Sequence, residues 1–374
     1  MCPKDRERGH VDRFLKIIEL SPMTCPVAVR RGVWLLAACV LVVVSPTVSA
    51  QEVAALGSPA CEPSTNSGVL RIVGDIPTLA PPLIAEPRAA LVKVMAGRSN
   101  KFSFQQRRGR NQWVWDISLG HEFGVVGWNW CSPRGMAGIN LWTPIDFHMI
   151  EDLQDKTAPI LDTDYRFGLL SRGTFPVSGL QNRARMLIGF KAFVGHESTH
   201  IGDEFVTLQR KAHASTFFRV NVSYEYFDLA ATWDEFLTNW SYSLRGGFTR
   251  LAPWKDGFYD LEPLEGLCPE DQKCLRAAQE RTEPYSMGEV RWRNGWFLSA
   301  DVRWKIIYPY LPELESGRRG SMNVVAGTKL GGWSSPSNRP AIFGRGYFGV
   351  NPHGQFRNQL GFWEYGFGIY FPLR

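Results

Sequence analysis

The feature that most limits how this 374-residue chain can fold is a two-residue alternation of apolar and polar side chains, repeated along most of its length. Trp113, Trp115, Ile117 and Leu119 alternate with Val114, Asp116, Ser118 and Gly120, so an extended backbone there has one apolar face and one small or polar face. The pattern returns at Tyr165/Phe167/Leu169 and at Met186/Ile188/Phe190/Ala192/Val194. It recurs at Phe218/Val220/Val222/Tyr224/Tyr226, opposite Arg219, Asn221, Ser223 and Glu225. Trp240/Tyr242/Leu244 lie opposite Ser241, Ser243 and Arg245, and Leu298/Ala300/Val302/Trp304/Ile306 lie opposite Ser299, Asp301, Arg303 and Lys305. A last run, Trp363/Tyr365/Phe367/Ile369/Phe371, precedes Pro372-Leu373-Arg374.

Two all-β architectures use such strands. A soluble sandwich buries the apolar face in a core and seldom places many Trp and Tyr near strand ends. A membrane barrel turns that face to lipid, rings it with aromatic residues and keeps the charged face in its lumen. With 13% aromatic residues, 14 Trp and 36 Gly, the sequence predicts an all-β fold, an antiparallel transmembrane β-barrel of about 12 strands. No stretch after residue 50 approaches the ~18 consecutive apolar residues of a membrane helix, and strands closed into a barrel are the other way to cross a bilayer.

The N-terminal region differs. Arg30-Arg31, the uncharged and mostly apolar run from Gly32 to Val44, and Val48-Ser49-Ala50 predict a signal peptide over residues 1–50, with Met23 as an alternative start. Residues 51–87, rich in Pro, Ala and Ser and without periodicity, are expected to form a periplasmic linker or plug-like tail, and 88–374 the outer-membrane barrel. Cell outer membrane is thus the expected location, after signal-directed export, with outer-membrane lipid and the barrel-insertion machinery as partners. A formal net charge of +6 points to no nucleic-acid partner. Three cysteines lie within 1–50; of Cys61, Cys131, Cys268 and Cys274, the last two, close together in a charged loop, are the expected disulfide. Long connections are expected near 197–215, 249–287 and 331–358, with His353 in a turn. Asp162, Asp164 and Asp301 are expected to be lumen or loop charges.

One segment concentrates chemistry: Gly195-His196-Glu197-Ser198-Thr199-His200-Ile201-Gly202-Asp203-Glu204. Three readings compete for it. His196-Glu197-x-x-His200 fits the zinc-protease pattern, but that chemistry needs both histidines on one helix face, and the preceding residues alternate as a strand. If the strand continues, His196 and Ser198 share the lipid-facing side with Ile188, Phe190, Ala192 and Val194, where an imidazole can activate a hydroxyl. Otherwise His196, His200, Asp203 and Glu204 form an ion-paired rim where the strand leaves the bilayer, at small energetic cost.

The His196-x-Ser198 pair on an outer wall resembles the outer-membrane phospholipase A family. That resemblance implies His196 as general base, Ser198 as nucleophile, and calcium held with help from Asp203 or Glu204. The family's histidine-orienting asparagine has no match among Phe218, Val220, Val222 and Tyr224, the positions expected to face outward on the next strand. A longer resemblance, spanning roughly 80–371, rests on His196-x-Ser198-x-His200-Ile201-Gly202-Asp203-Glu204, Gly346-Tyr347-Phe348-Gly349 and Gly354-Gln355-Phe356. These are similar to domain-of-unknown-function family 1207, whose members are exported bacterial proteins thought to be outer-membrane barrels without assigned activity. Three functions follow as expectations: a structural or binding barrel, a serine-type lipid acyl hydrolase working on phospholipid or lipid A, and a small-solute pore.

Overall fold

The structure is a computed structural model. It describes residues 69–72, 82–100, 112–132, 135–154, 158–178, 185–200, 202, 220–252, 259–261, 282–307, 317–333, 339–353 and 361–371. The strands are β1 (Val69–Ile72), β2 (Val92–Ser99), β3 (Gln112–Ser132), β4 (Gly135–Asp152), β5 (Ile160–Ser178), β6 (Arg185–His200) and β7 (Val220–Phe236). They continue with β8 (Trp240–Ala252), β9 (Tyr259–Leu261), β10 (Thr282–Trp292), β11 (Trp296–Ile307), β12 (Gly317–Lys329), β13 (Ala341–Gly349) and β14 (Phe362–Phe371). Two are short additions, β1 on β3 and β9 on β7. The others form a closed antiparallel barrel of 12 strands, in which β14 returns to β2 from Phe371↔Val92 to Glu364↔Ser99. Closure leaves the wall no unpaired edge, which is what a bilayer demands of a sheet.

Alternation sets the two faces. On β3, Trp113, Trp115, Leu119 and Phe123 are exposed on the outside, while Val114, Asp116 and Ser118 are buried inside. Exposed aromatic residues gather near both ends: Trp233, Trp292 and Trp296 by one set of turns, Trp113, Trp304 and Tyr365 toward the other. This is the girdle arrangement of outer-membrane barrels. The outward faces of β3, β5, β6, β8, β11 and β14 follow the sequence pattern.

Strand β7 does not. Tyr224 and Tyr226 were expected outside with Val220 and Val222, but both tyrosines are buried in the lumen, and Ser223 and Glu225 lie on the outward face. A tyrosine counts as apolar in a periodicity, yet its hydroxyl gains from a polar interior. Here Tyr224 Oη donates to the buried Glu197 carboxylate. Phe218 lies outside the described residues.

The lumen is filled by the chain itself. Residues 82–91 cross it: Ile84 N donates to Glu289 Oε2 (2.8 Å), Ala85 N to Ser299 Oγ (3.1 Å), and Asn323 Nδ2 to the Ala85 carbonyl (2.7 Å). Leu83 packs with Ala230, Tyr285 and Met287, and Ile84 and Ala85 join Met95, Phe297, Val325 and Phe343. Charged groups of the segment meet charges on β6, β8 and β10. Glu86 pairs with Lys191 and Arg245, and Arg88 lies 3.3 Å from both Glu197 and Glu283. Burial alone would raise the Glu86 carboxyl, but Lys191 and Arg245 outweigh it and hold the group at about 2. No period marks this stretch because successive residues contact different sides of the barrel.

A second inward excursion follows β13. The expected long loop at 331–358 contains that strand, and His353, expected in a turn, is buried with Val350 and Asn351. Gly349 makes the bend with φ +127°, and a Cβ there would stand 2.5 Å from Ser321 Cα, so the turn needs glycine. Asp162, Asp164 and Asp301 are lumen charges. Cys131 is disulfide-bonded, whereas Cys268 and Cys274 lie outside the described residues, as does the whole of 1–50.

Beside the plug, among the described residues, are cavities of about 40 and 30 Å³, room for a few waters each. Residues 82–91 lie across the path that a pore would need. Reconstituted into planar bilayers, the protein is expected to show no steady unitary conductance. Stable single-channel openings at moderate voltage would mean that the plug leaves the lumen.

At one end of the barrel lie the turns at 237–239 and 293–295, the start of β2 and the end of β14, and consecutive wall strands that meet there are 2–11 residues apart in sequence. At the other end consecutive wall strands are 7–29 residues apart in sequence, the widest separation, between β8 and β10, including the short β9. The end of β6, the start of β7 and the start of β14 all belong to this long-loop end.

Candidate active site

Strand β6 carries its alternation through its last residue, because it is paired on both sides: Phe167↔His196 and Tyr165↔Ser198 with β5, His196↔Glu225 and Ser198↔Ser223 with β7. Directly paired residues share a face and bring their side chains within reach of each other. His196, Ser198 and His200 thus stand on the outer wall beside Ser223 and Glu225, with Phe167 and Tyr165 flanking them. The ring centroids of Phe167 and His196 are 5.3 Å apart, and those of Tyr165 and His200 are 5.9 Å apart. Asp203 and Glu204 lie outside the described residues.

The hydrogen bonds within this group were not those expected. His196 Nε2 faces Ser223 Oγ at 3.2 Å, and its Nδ1 faces Glu225 Oε1 at 3.6 Å. The imidazole therefore lies between a hydroxyl and a carboxylate, one on each ring nitrogen. Ser198 turns instead to the next histidine, its Oγ 3.0 Å from His200 Nε2. The wall carries two serine–histidine pairs, and only the His196 pair has a carboxylate behind it among the described residues.

Glu197, between the two histidines, points into the lumen, where it is 3% exposed and meets Tyr224 and Arg88. The zinc-protease reading fails on this geometry. A strand sends Glu197 to the opposite face from His196 and His200, and a general base cannot serve an ion through the barrel wall.

Glu225 was missed because of the inverted parity of β7. A longer reading of that strand contains the signal: Asp228, Thr232 and Asp234 share the parity of Tyr224, while Phe227, Leu229 and Trp233 share that of Glu225. All three polar residues are buried, and Leu229 and Trp233 are exposed.

The resemblance to the phospholipase A family implied calcium. Among the described residues the wall beside His196 offers one carboxylate, Glu225, and the hydroxyls of Ser198, Ser223 and Tyr165, whereas calcium takes about 6–8 oxygens. The described set does not fit that ion. Metal-ligand spacing does occur among the described residues, but in the lumen, in the groups His148/Asp164/His353 and Asp116/His353/Glu364.

No family model and no curated protein matches the chain, and the resemblance to domain-of-unknown-function family 1207 is not shown by these comparisons. Among solved structures it is similar to outer membrane phospholipase A from Escherichia coli, at 10% identity and a TM-score of 0.43 over 76% of this chain and 92% of that one. The Salmonella typhi outer membrane phospholipase, a dimer with bound calcium, gives 10% identity and 0.42 over 75% and 90%. Pseudomonas aeruginosa OpdO gives 7% identity and 0.28 over 76% and 96%. At such scores no argument and no residue role passes from these proteins to this chain. Its own closed wall of 12 antiparallel strands, apolar and aromatic outside and charged within, gives the chain an outer-membrane β-barrel fold.

Proposed function

We propose that this protein is an exported outer-membrane acyl hydrolase that cleaves lipid esters at the outer surface of its own barrel. The carrying observation is the placement of His196 between Ser223 and Glu225 on the lipid-facing wall. In this reading Glu225 accepts from Nδ1–H and fixes the tautomer. Nε2 then removes the Ser223 proton as Oγ attacks the acyl carbonyl. The ester C–O bond breaks, His196 returns the proton to the leaving alcohol, and water attacks the acyl-serine to release a fatty acid and regenerate the hydroxyl.

In barrels of this class the long loops face outward. That orientation puts the site at the level of the outer leaflet, so outer-leaflet phospholipid or lipid A is the substrate class. The filled lumen supports chemistry on the wall over transport through the middle.

The test is direct. Purified folded protein in detergent, given phospholipid or lipid A micelles, is expected to release fatty acid, and a fluorophosphonate probe is expected to label the peptide containing Ser223. Folded protein that releases no acyl chain from either lipid, with or without added calcium, overturns the reading and leaves a structural or binding barrel.

A further inference from the structure

Strand β8 puts a full charge on the lipid-facing wall. Its Arg245 and Thr249 are buried in the lumen, whereas Leu244 and Arg250, of the opposite parity, are exposed on the outside. Among the described residues of the wall strands, Arg250 is the one exposed arginine, lysine, aspartate or glutamate. It makes no hydrogen bond, ion pair or ring contact with the described residues. A guanidinium facing hydrocarbon is costly, and it persists where its long stem can reach the interface and meet an anion.

The register ties this cation to the hydrolytic group. Glu225↔Ala252 and Phe227↔Arg250 pair β7 with β8, so Arg250 stands on the strand beside Glu225. From Ser223 to Phe227 is about 13 Å along β7, and from Phe227 to Arg250 about 5 Å across. An arginine extended toward the long-loop rim closes most of that distance, and the gap that remains is of the size of a glycerol unit. The outward carboxylate nearest in the register, Glu225, is turned to His196 Nδ1 at 3.6 Å, so it leaves the guanidinium open to another anion.

The surroundings of Arg250 suit a phosphate. Thr282 of β10 pairs directly with it, shares its outward face and offers a hydroxyl donor. Phe227 on one side and Phe248, two residues nearer the short-turn end, make an apolar floor with ring centroids 6.0 Å apart. Above such a floor little water competes for the guanidinium, whose planar fork matches two phosphate oxygens.

We propose that Arg250, with Thr282 beside it, holds the phosphate of the lipid whose ester lies against Ser223, so that the site takes phosphate-bearing lipids over neutral ones. This inference rests on the hydrolase reading for the ester and on the wall's charge pattern for the phosphate. Phospholipid and lipid A both supply the group, as a diester and as a monoester.

The experiment uses the full mature protein folded in detergent. Native mass spectrometry measures binding of phosphatidylglycerol against diacylglycerol, and of lipid A against dephosphorylated lipid A, and reads any hydrolysed lipid as a different mass. Wild type is expected to prefer the phosphate-bearing member of at least one pair by about tenfold or more. Arg250→Gln, folded by heat-modifiable gel mobility, is expected to lose that preference, and the pair in which it is lost names the source of the phosphate. Where acyl chains are released, the same variant should lower kcat/KM on the phosphate-bearing lipid by about 10²-fold, mostly through KM, and leave diacylglycerol hydrolysis unchanged. A wild type without preference in either pair, or an Arg250→Gln variant that keeps it, overturns the assignment. Binding that depends on Arg250 without any acyl release sinks the hydrolase reading and leaves the phosphate site standing.

Discussion

Ser223→Ala is expected to lower fatty-acid release by about 10⁴-fold, with the substrate concentration at half-maximal rate little changed. The side chain removed is the one whose proton His196 is placed to take, and alanine leaves the fold of β7 and the lipid contact intact. His196→Ala should have an effect of similar size, because base and nucleophile act as a unit and their losses do not add. Ser198→Ala is expected to cost less than about tenfold, since that hydroxyl is bonded to His200, which has no carboxylate behind it in the described structure. Glu225→Gln should fall between, roughly 10²-fold or more, through loss of the acceptor that orients the imidazole. Fatty-acid assays on the purified variants separate these cases. If Ser198→Ala abolishes release and Ser223→Ala does not, the nucleophile is the one implied by the phospholipase A resemblance, and the His196–Ser223 contact is structural.

The second large effect concerns the plug. Glu86→Ala should destabilise the barrel by about 3–5 kcal/mol, because it leaves Lys191 and Arg245 buried without their shared counter-charge. Glu86→Gln, which keeps a hydrogen-bond acceptor, should be milder. The carboxyl is lowered from 4.5 to about 2, so its stabilisation is fully present above about pH 4.5 and is lost as pH falls toward 2. Urea unfolding followed by tryptophan fluorescence should therefore show the gap between wild type and Glu86→Ala at pH 7, and should show it shrinking between pH 4.5 and 2. A gap that is constant across that range would mean that the variant acts through packing and not through the charge.

Some of this was written in the chain locally and some was not. The faces of β3, β6 and β14 could be read from three or four consecutive residues, because water and lipid enforce a period of two on any barrel strand, and closure of an all-β membrane protein follows from the need to pair every backbone group. The same period places His196 and Ser198 on the outside. What the sequence could not assign was partnership across strands. Tyr224 and Tyr226 look lipid-facing until Glu197 is found behind them, and Glu225 becomes visible as the partner of His196 only in the register of β6 against β7. Residues 82–91 and 350–353 have no period at all, since each of their side chains answers to a different wall of the lumen. Alternation is a property of one strand in a two-sided environment, so sequence alone determined the barrel and the outward face of its strands other than β7. Which hydroxyl meets which imidazole, and what fills the lumen, depend on residues tens to hundreds of positions apart, and only the tertiary structure decided them.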